Sequence, residues 1–223
     1  VADHATRARD IQKRHAAAVQ QVQERRDLSA EGRKRQLARV HTQFSAEMDQ
    51  VRAAANEATE QRRNEIVRGL FGNPSPGDST SVISYRDALD RADRVKTPEE
   101  AARLLRRAQQ TGDTTLARAV AAKALDAAMG PDANGAWAGV VNTWGAEDAG
   151  RDELLTELSA LNDAASPAGR FAGGLQYALA RPLGLDAGDN VAALAAAADQ
   201  IPGEEHAPFV YPDGRRSTSS WGS

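Results

Sequence analysis

The sequence predicts an all-α protein: a long N-terminal helical hairpin, then a small antiparallel helical domain and an extended C-terminal tail. Three observations carry that prediction. Apolar residues recur at three- and four-residue steps through most of the chain, as a buried helix face requires. No segment sustains the alternation expected of a half-buried strand. Between Thr6 and Phe71 there is no Pro, and only Asp27-Leu28-Ser29-Ala30-Glu31-Gly32 interrupts the helical pattern.

The first helix is predicted over Thr6 to Arg26, with Ile11, Ala18, Val19 and Val22 on one stripe and His15 among them. Ser29 reads as the N-cap of a second helix, since its hydroxyl can accept from the next free backbone amides. That helix is predicted over Ala30 to Leu70. Its stripe is Leu37, Val40, Phe44, Met48, Val51, Ala55, Ala58 and Ile66, with Arg62 in the one gap. The spacing is nearer 3.6 than 3.5 residues per step, which favours a straight helix over a long supercoil. Such a stripe can be covered by the hairpin's own first helix or by another chain.

Gly72 to Ser81 combines two Pro, two Gly and several hydroxyl residues, and predicts a linker. Beyond it, Ser84 and Asp87 predict a helix start ahead of Ala88, Leu89, Ala92 and Val95. Thr97-Pro98-Glu99-Glu100 is the strongest start signal in the chain, with a Thr cap, Pro in the first position and Glu in the third. The helix it opens carries Leu104, Leu105 and Ala108 and stops at Thr111-Gly112. Asp113 opens the next, which Gly130-Pro131 closes. Trp137, Val140, Val141 and Trp144 mark another, and Leu154, Leu155, Leu158 and Leu161 a fifth. Ser166-Pro167 starts a sixth with Phe171, Leu175 and Tyr177, and Asn190 to Gln200 is Ala-rich. The organisation expected is therefore a hairpin arm at 1–71, a linker at 72–81, a helical domain at 82–201 and a tail at 202–223.

Composition narrows the function. Aromatic residues make up only 4% of the 223, so the core must be built from Ala, Leu and Val. With no Cys, disulfides and thiolate metal sites are excluded. No apolar run approaches the ~18 residues of a membrane span, and no secretory leader is visible, so no membrane partner is expected. Residues 1–70 hold fourteen Lys/Arg against ten Asp/Glu, and the remainder fourteen against twenty-one, giving a basic arm on an acidic body. The four histidines, His4, His15, His41 and His206, stand at no recurring metal or catalytic spacing. The glycines at 169, 173, 174 and 184 follow no strand, so no phosphate or dinucleotide loop is supported. The reading is of a protein that is not an enzyme and takes no cofactor and no metal.

Two candidate contact regions follow. Leu37, Val40, Phe44, Met48 and Val51 on the arm, with Phe209, Tyr211 and Trp221 in the tail, are the expected partner-binding residues. Arg33, Lys34, Arg35 and Arg39 form a dense basic cluster that could contact phosphate, although no interleaved aromatics offer base stacking.

Two resemblances bear on this. Leu104, Gly112-Asp113, Ala117 and Lys123-Ala124-Leu125 stand at the packing positions of one tetratricopeptide-like helix pair. Leu105, Ala108 and Pro131 depart from that pattern, and a single repeat is too little for a solenoid. More broadly, Asp10-Ile11-Gln12, Asp27-Leu28-Ser29-Ala30-Glu31-Gly32-Arg33, Tyr85-Arg86-Asp87-Ala88-Leu89-Asp90-Arg91-Ala92, Thr111-Gly112-Asp113 and Leu116-Ala117-Arg118-Ala119-Val120-Ala121 resemble uncharacterised proteins encoded among the head and connector genes of tailed actinobacterial phages. This resemblance implies a virion structural protein, associated with the capsid or the head-tail connector. It would be made in the host cytoplasm and bind other structural proteins of the same assembly in multiple symmetric copies. The alternatives are a scaffolding or assembly chaperone absent from mature particles, and a nucleic-acid-binding protein using the basic arm.

Overall fold

The computed structural model describes residues 2–130 and 135–198. Among them are nine helices and no strand, as the periodicity predicts. They are α1 (Ala2–Glu24), α2 (Ala30–Phe71), α3 (Ser79–Asp93), α4 (Pro98–Thr111), α5 (Thr114–Met129), α6 (Gly135–Gly145), α7 (Ala149–Ala165), α8 (Pro167–Leu175) and α9 (Val191–Ala198). The described residues pack as two units: those within 59–166 form one, and 2–58 with 167–198 form the other. This division differs from the one composition suggests. α2 contributes its first part to one unit and its last part to the other. Residues 167–198 pack with the hairpin and not with the helical domain assigned to 82–201.

In the 59–166 unit the core is small residues around two indoles. Ile66, Leu70, Phe71, Leu105, Leu116, Val120, Trp137, Val140, Val141, Trp144 and Leu158 are buried in one cluster with several Ala. The capping signals hold as expected. Thr97 Oγ1 accepts from the Glu100 amide at 3.2 Å, and Glu100 Oε2 accepts from the Lys96 amide at 2.9 Å. Gly112 ends α4 at φ +71°, a conformation that favours glycine, and Asp113 then caps α5 by accepting from the Leu116 amide. Two residues therefore close one helix and open the next. That makes α4 and α5 the antiparallel pair expected of the tetratricopeptide-like segment.

The stretch between Gly72 and Ser81 is not an open linker. α3 begins at Ser79, five residues ahead of the Ser84 start, because Asp78 caps it by accepting from the Thr80 and Ser81 amides. Asn73 Oδ1 accepts from the Ser75 amide and from the Ser81 hydroxyl, the latter at 2.8 Å. The Tyr85 hydroxyl donates to the Phe71 carbonyl at 2.5 Å, and Arg118 donates to the Gly72 carbonyl at 2.8 Å. These bonds satisfy the last carbonyls of α2 and tie the turn to α3 and α5.

In the hairpin unit, α1 and the first part of α2 bury two small clusters. One joins Ala8, Ile11 and Ala18 to Phe44 and Met48, the other Val22 and Leu28 to Leu37 and Ala38. The sixth predicted helix stops at Leu175, short of Tyr177. From 176 to 190 the chain is extended, with tight turns, and forms a strap over the hairpin. Tyr177 and Leu179 pack on the first cluster, and Leu185 with Ala195 of α9 on the second. Gly184 lies at φ +103°, and a Cβ there would come within 3.2 Å of Leu37 Cδ1. A side chain at that point would strain the turn and crowd the stripe it crosses.

Candidate interaction surfaces

The stripe expected to bind a partner is covered by the chain itself. Leu37, Phe44 and Met48 are only 1–2% exposed, and Val40 and Val51 are half-buried against the same clusters. Burying a Leu, Met or Phe this fully stabilises by roughly 1.5–3 kcal/mol each, so baring the stripe would cost several such terms. Of the two coverings the sequence allows, the structure shows the internal one. Leu37, Phe44 and Met48 are core, with Val40 and Val51 packed against them. Phe209, Tyr211 and Trp221 lie outside the described residues.

The basic cluster is likewise occupied. Lys34 Nζ lies 2.6 Å from Asp189 Oδ1 and 3.5 Å from Asp186 Oδ2, both on the strap. The bond to Asp189 holds Lys34 above the ordinary lysine range and the Asp189 carboxyl below the ordinary carboxylate range. Arg33 donates to the Arg25 carbonyl at 2.9 Å, and Arg35 pairs with Glu31 one turn earlier. Arg39, also half-buried, has interactions of its own. At Lys34 and Arg35 a phosphate backbone would have to displace carboxylates already in place, and Lys34 ties the hairpin to its strap.

What the sequence reading misses is a pair of imidazoles. His15 Nε2 and His41 Nδ1 lie 3.2 Å apart across the hairpin, with ring centroids at 5.3 Å. His15 is 4% exposed and meets the Phe44 ring edge-on at 5.6 Å. Arg14 lies over that ring and pairs with Glu47. Desolvation, and then the charge of His41, push His15 down to about 4; desolvation and then Arg181 lower His41. A signal was present, since the two histidines stand thirteen residues on either side of Leu28. A hairpin folded symmetrically about that residue sets them opposite each other, which a search for short metal or catalytic spacings overlooks.

Beside His15 the strap and α1 enclose a cleft of about 570 Å³, walled by Ala16, Val19, Leu179, Pro182 and Leu183. Gln12 spans one end, its Nε2 donating to the Gln176 and Ala178 carbonyls at 3.1 and 3.0 Å. Gln23 donates to the Leu183 carbonyl at 3.4 Å. Gln12 and Gln23, about three turns apart on one face of α1, thus hold the strap by its backbone.

The open apolar surface is elsewhere. α8 buries none of its residues, and Phe171 and Leu175, one turn apart, are 75% and 61% exposed. Leu183 is 84% exposed and Ile83 69%. Among the described residues, no cluster of three or more His, Asp or Glu is arranged to hold a metal ion, and no helix is long and apolar enough to cross a membrane. Comparison with protein-family models, with curated proteins and with solved structures gave no match to this chain.

Proposed function

We propose that the protein is a non-enzymatic structural component of a tailed-phage particle, associated with the capsid or the head-tail connector and bound to neighbouring subunits. The place in a virion rests on the resemblance of the segments between Asp10 and Ala121. The observation that supports subunit binding is α8, a helix with no buried residue that turns Phe171 and Leu175 to solvent. A phenylalanine and a leucine one turn apart form the anchor pair of a helix that packs on a partner. Repetition of such a modest contact around a symmetric shell would supply avidity that a single copy lacks.

This reading moves the contact from the hairpin stripe to α8. The test is mass spectrometry of purified mature particles, with crosslinking to locate the neighbours. The chain is expected in mature particles, with Phe171→Asp/Leu175→Asp lowering its incorporation about tenfold while the isolated variant keeps its helical circular dichroism. Absence from mature particles, with presence in precursors, would replace this reading with that of a scaffold. DNA retention that falls steeply with salt, alongside normal incorporation of the variant, would favour the nucleic-acid reading instead.

A further inference from the structure

We propose that the His15–His41 pair is a proton-operated latch whose protonation lifts the 176–190 strap from the hairpin and bares the stripe beneath. The geometry has three parts. First, two imidazoles 3.2 Å apart share one hydrogen bond only while at least one ring is neutral; two imidazolium rings there have no acceptor between them. Second, His15 lines the cleft under Ala178 to Leu183, so the strap is the wall between its ring and bulk water. Third, the strap adds a fixed cation. Arg181 is held in place by donating to the Leu185 and Asp186 carbonyls, and its charge acts on His41.

The groups around the pair leave a new proton without a counter-ion. On α1 the neighbouring charge is Arg14, whose partner on α2 is Glu47. On the strap are Arg181, the Tyr177 phenol, and Asp186 with Asp189, both engaged by Lys34 of α2. Glu47, Asp186 and Asp189, the carboxylates named here, therefore already have cationic partners. A proton on the imidazoles is best accommodated by water, and water enters when the strap leaves. Proton uptake and strap release are thus linked equilibria. Asp189, held below the ordinary carboxylate range by Lys34, keeps its charge through the interval in which imidazoles titrate, so the strap's ion pair does not confuse the readout.

The consequence is a gated surface. Tyr177 and Leu179 leave Phe44 and Met48, and Leu185 leaves Leu37. The stripe that is core at neutral pH then becomes an apolar face. This device is independent of the virion reading and stands or falls separately.

The test is hydrogen exchange of the full chain at pH 7.5 and pH 5.0, corrected for intrinsic exchange, read over 176–190 and over Ile11 to Val22. Protection there is expected to fall at least tenfold at pH 5.0, while 59–166 is unchanged, and His15→Gln/His41→Gln is expected to lose this dependence. Unchanged strap protection at pH 5.0, or an equal loss in the double variant, would overturn the latch. Side-chain nitrogen shifts of His15 and His41, followed in the unsubstituted chain, keep the test decisive if the variant does not fold. Protonation that coincides with strap exchange supports the latch, and protonation with the strap still protected sinks it.

Discussion

The two packing units are held together by different means. In the 59–166 unit, Trp137 and Trp144 are buried among small residues, with the Phe71 ring stacked on Trp144 at 5.5 Å and the Arg151 guanidinium 4.7 Å over it. Its stability rests chiefly on an apolar core, which is non-directional, and the unit contains no histidine. The hairpin unit has two smaller clusters and a strap fastened by directional polar bonds: Gln12 and Gln23 to carbonyls, Lys34 to carboxylates, imidazole to imidazole. A strap fastened this way can be released by changing one proton or one side chain. An apolar core offers no titratable bond of this kind, and regulation is therefore expected in the hairpin.

The largest effect should come from the apolar unit. Trp144→Ala removes an indole that is 3% exposed and contacts Phe71, and should cost about 3–5 kcal/mol, the usual range for deleting a buried aromatic. Urea denaturation followed by exchange should show the loss across 59–166, with the 1–58 helices retaining their protection. Uniform loss over the whole chain would mean that the two units unfold as one, and the contrast drawn above would fail.

The hairpin should respond to pH where the other unit does not. The folded-state value of His15 is depressed to about 4 from the ordinary 6.5, so the unfolded chain binds the extra proton first. Stability is then complete above about pH 6.5 and falls as pH drops toward 4, with little further loss from this group below that. Converted at about 1.36 kcal/mol per unit, the shift amounts to roughly 3 kcal/mol as a ceiling, and about 2 kcal/mol is a fair expectation once solvent screening is allowed for. Denaturant midpoints of the hairpin measured from pH 7.5 to 4.5 would show the slope, and a flat profile would place His15 outside the proton-linked set.

Much of this fold was legible because helix signals are local. Thr97, Gly112, Asp113 and Ser29 mark boundaries through bonds made within three or four residues of themselves, and those boundaries hold. The start of α3 is less legible because Asp78, whose carboxylate caps the helix, stands within a stretch rich in Pro, Gly and hydroxyl residues. What the chain pairs at long range was harder to see. Nothing near Leu37 says whether α1, the strap or another protein covers it, because apolar periodicity records that a face is buried and not by what. The Lys34–Asp189 pair shows the same limit. A dense basic cluster is equally consistent with phosphate and with carboxylates far along the chain, and only the fold distinguishes them.

The smallest effect sharpens the comparison from the other side, because the 59–166 unit also carries a well-made polar bond. Arg62 Nε and Nη2 donate to the two carboxylate oxygens of Glu157, each at 2.7 Å, in the fork geometry that favours arginine. That bond raises Arg62 and holds Glu157 below the ordinary carboxylate range. Both side chains are open to solvent, however, and water screens most of what an exposed pair contributes. Arg62→Ala should therefore shift the thermal midpoint only slightly, and less still in 0.5 M salt, where screening removes most of what the pair contributes. Replacing Lys34 by Ala should do more, since its half-buried ammonium leaves Asp189 facing the hairpin unpaired and frees one end of the strap. If the two substitutions proved equal in both stability and strap exchange, the polar bonds of the hairpin would be no more structural than those of its neighbour, and the distinction between a latched unit and a packed one would lose its basis.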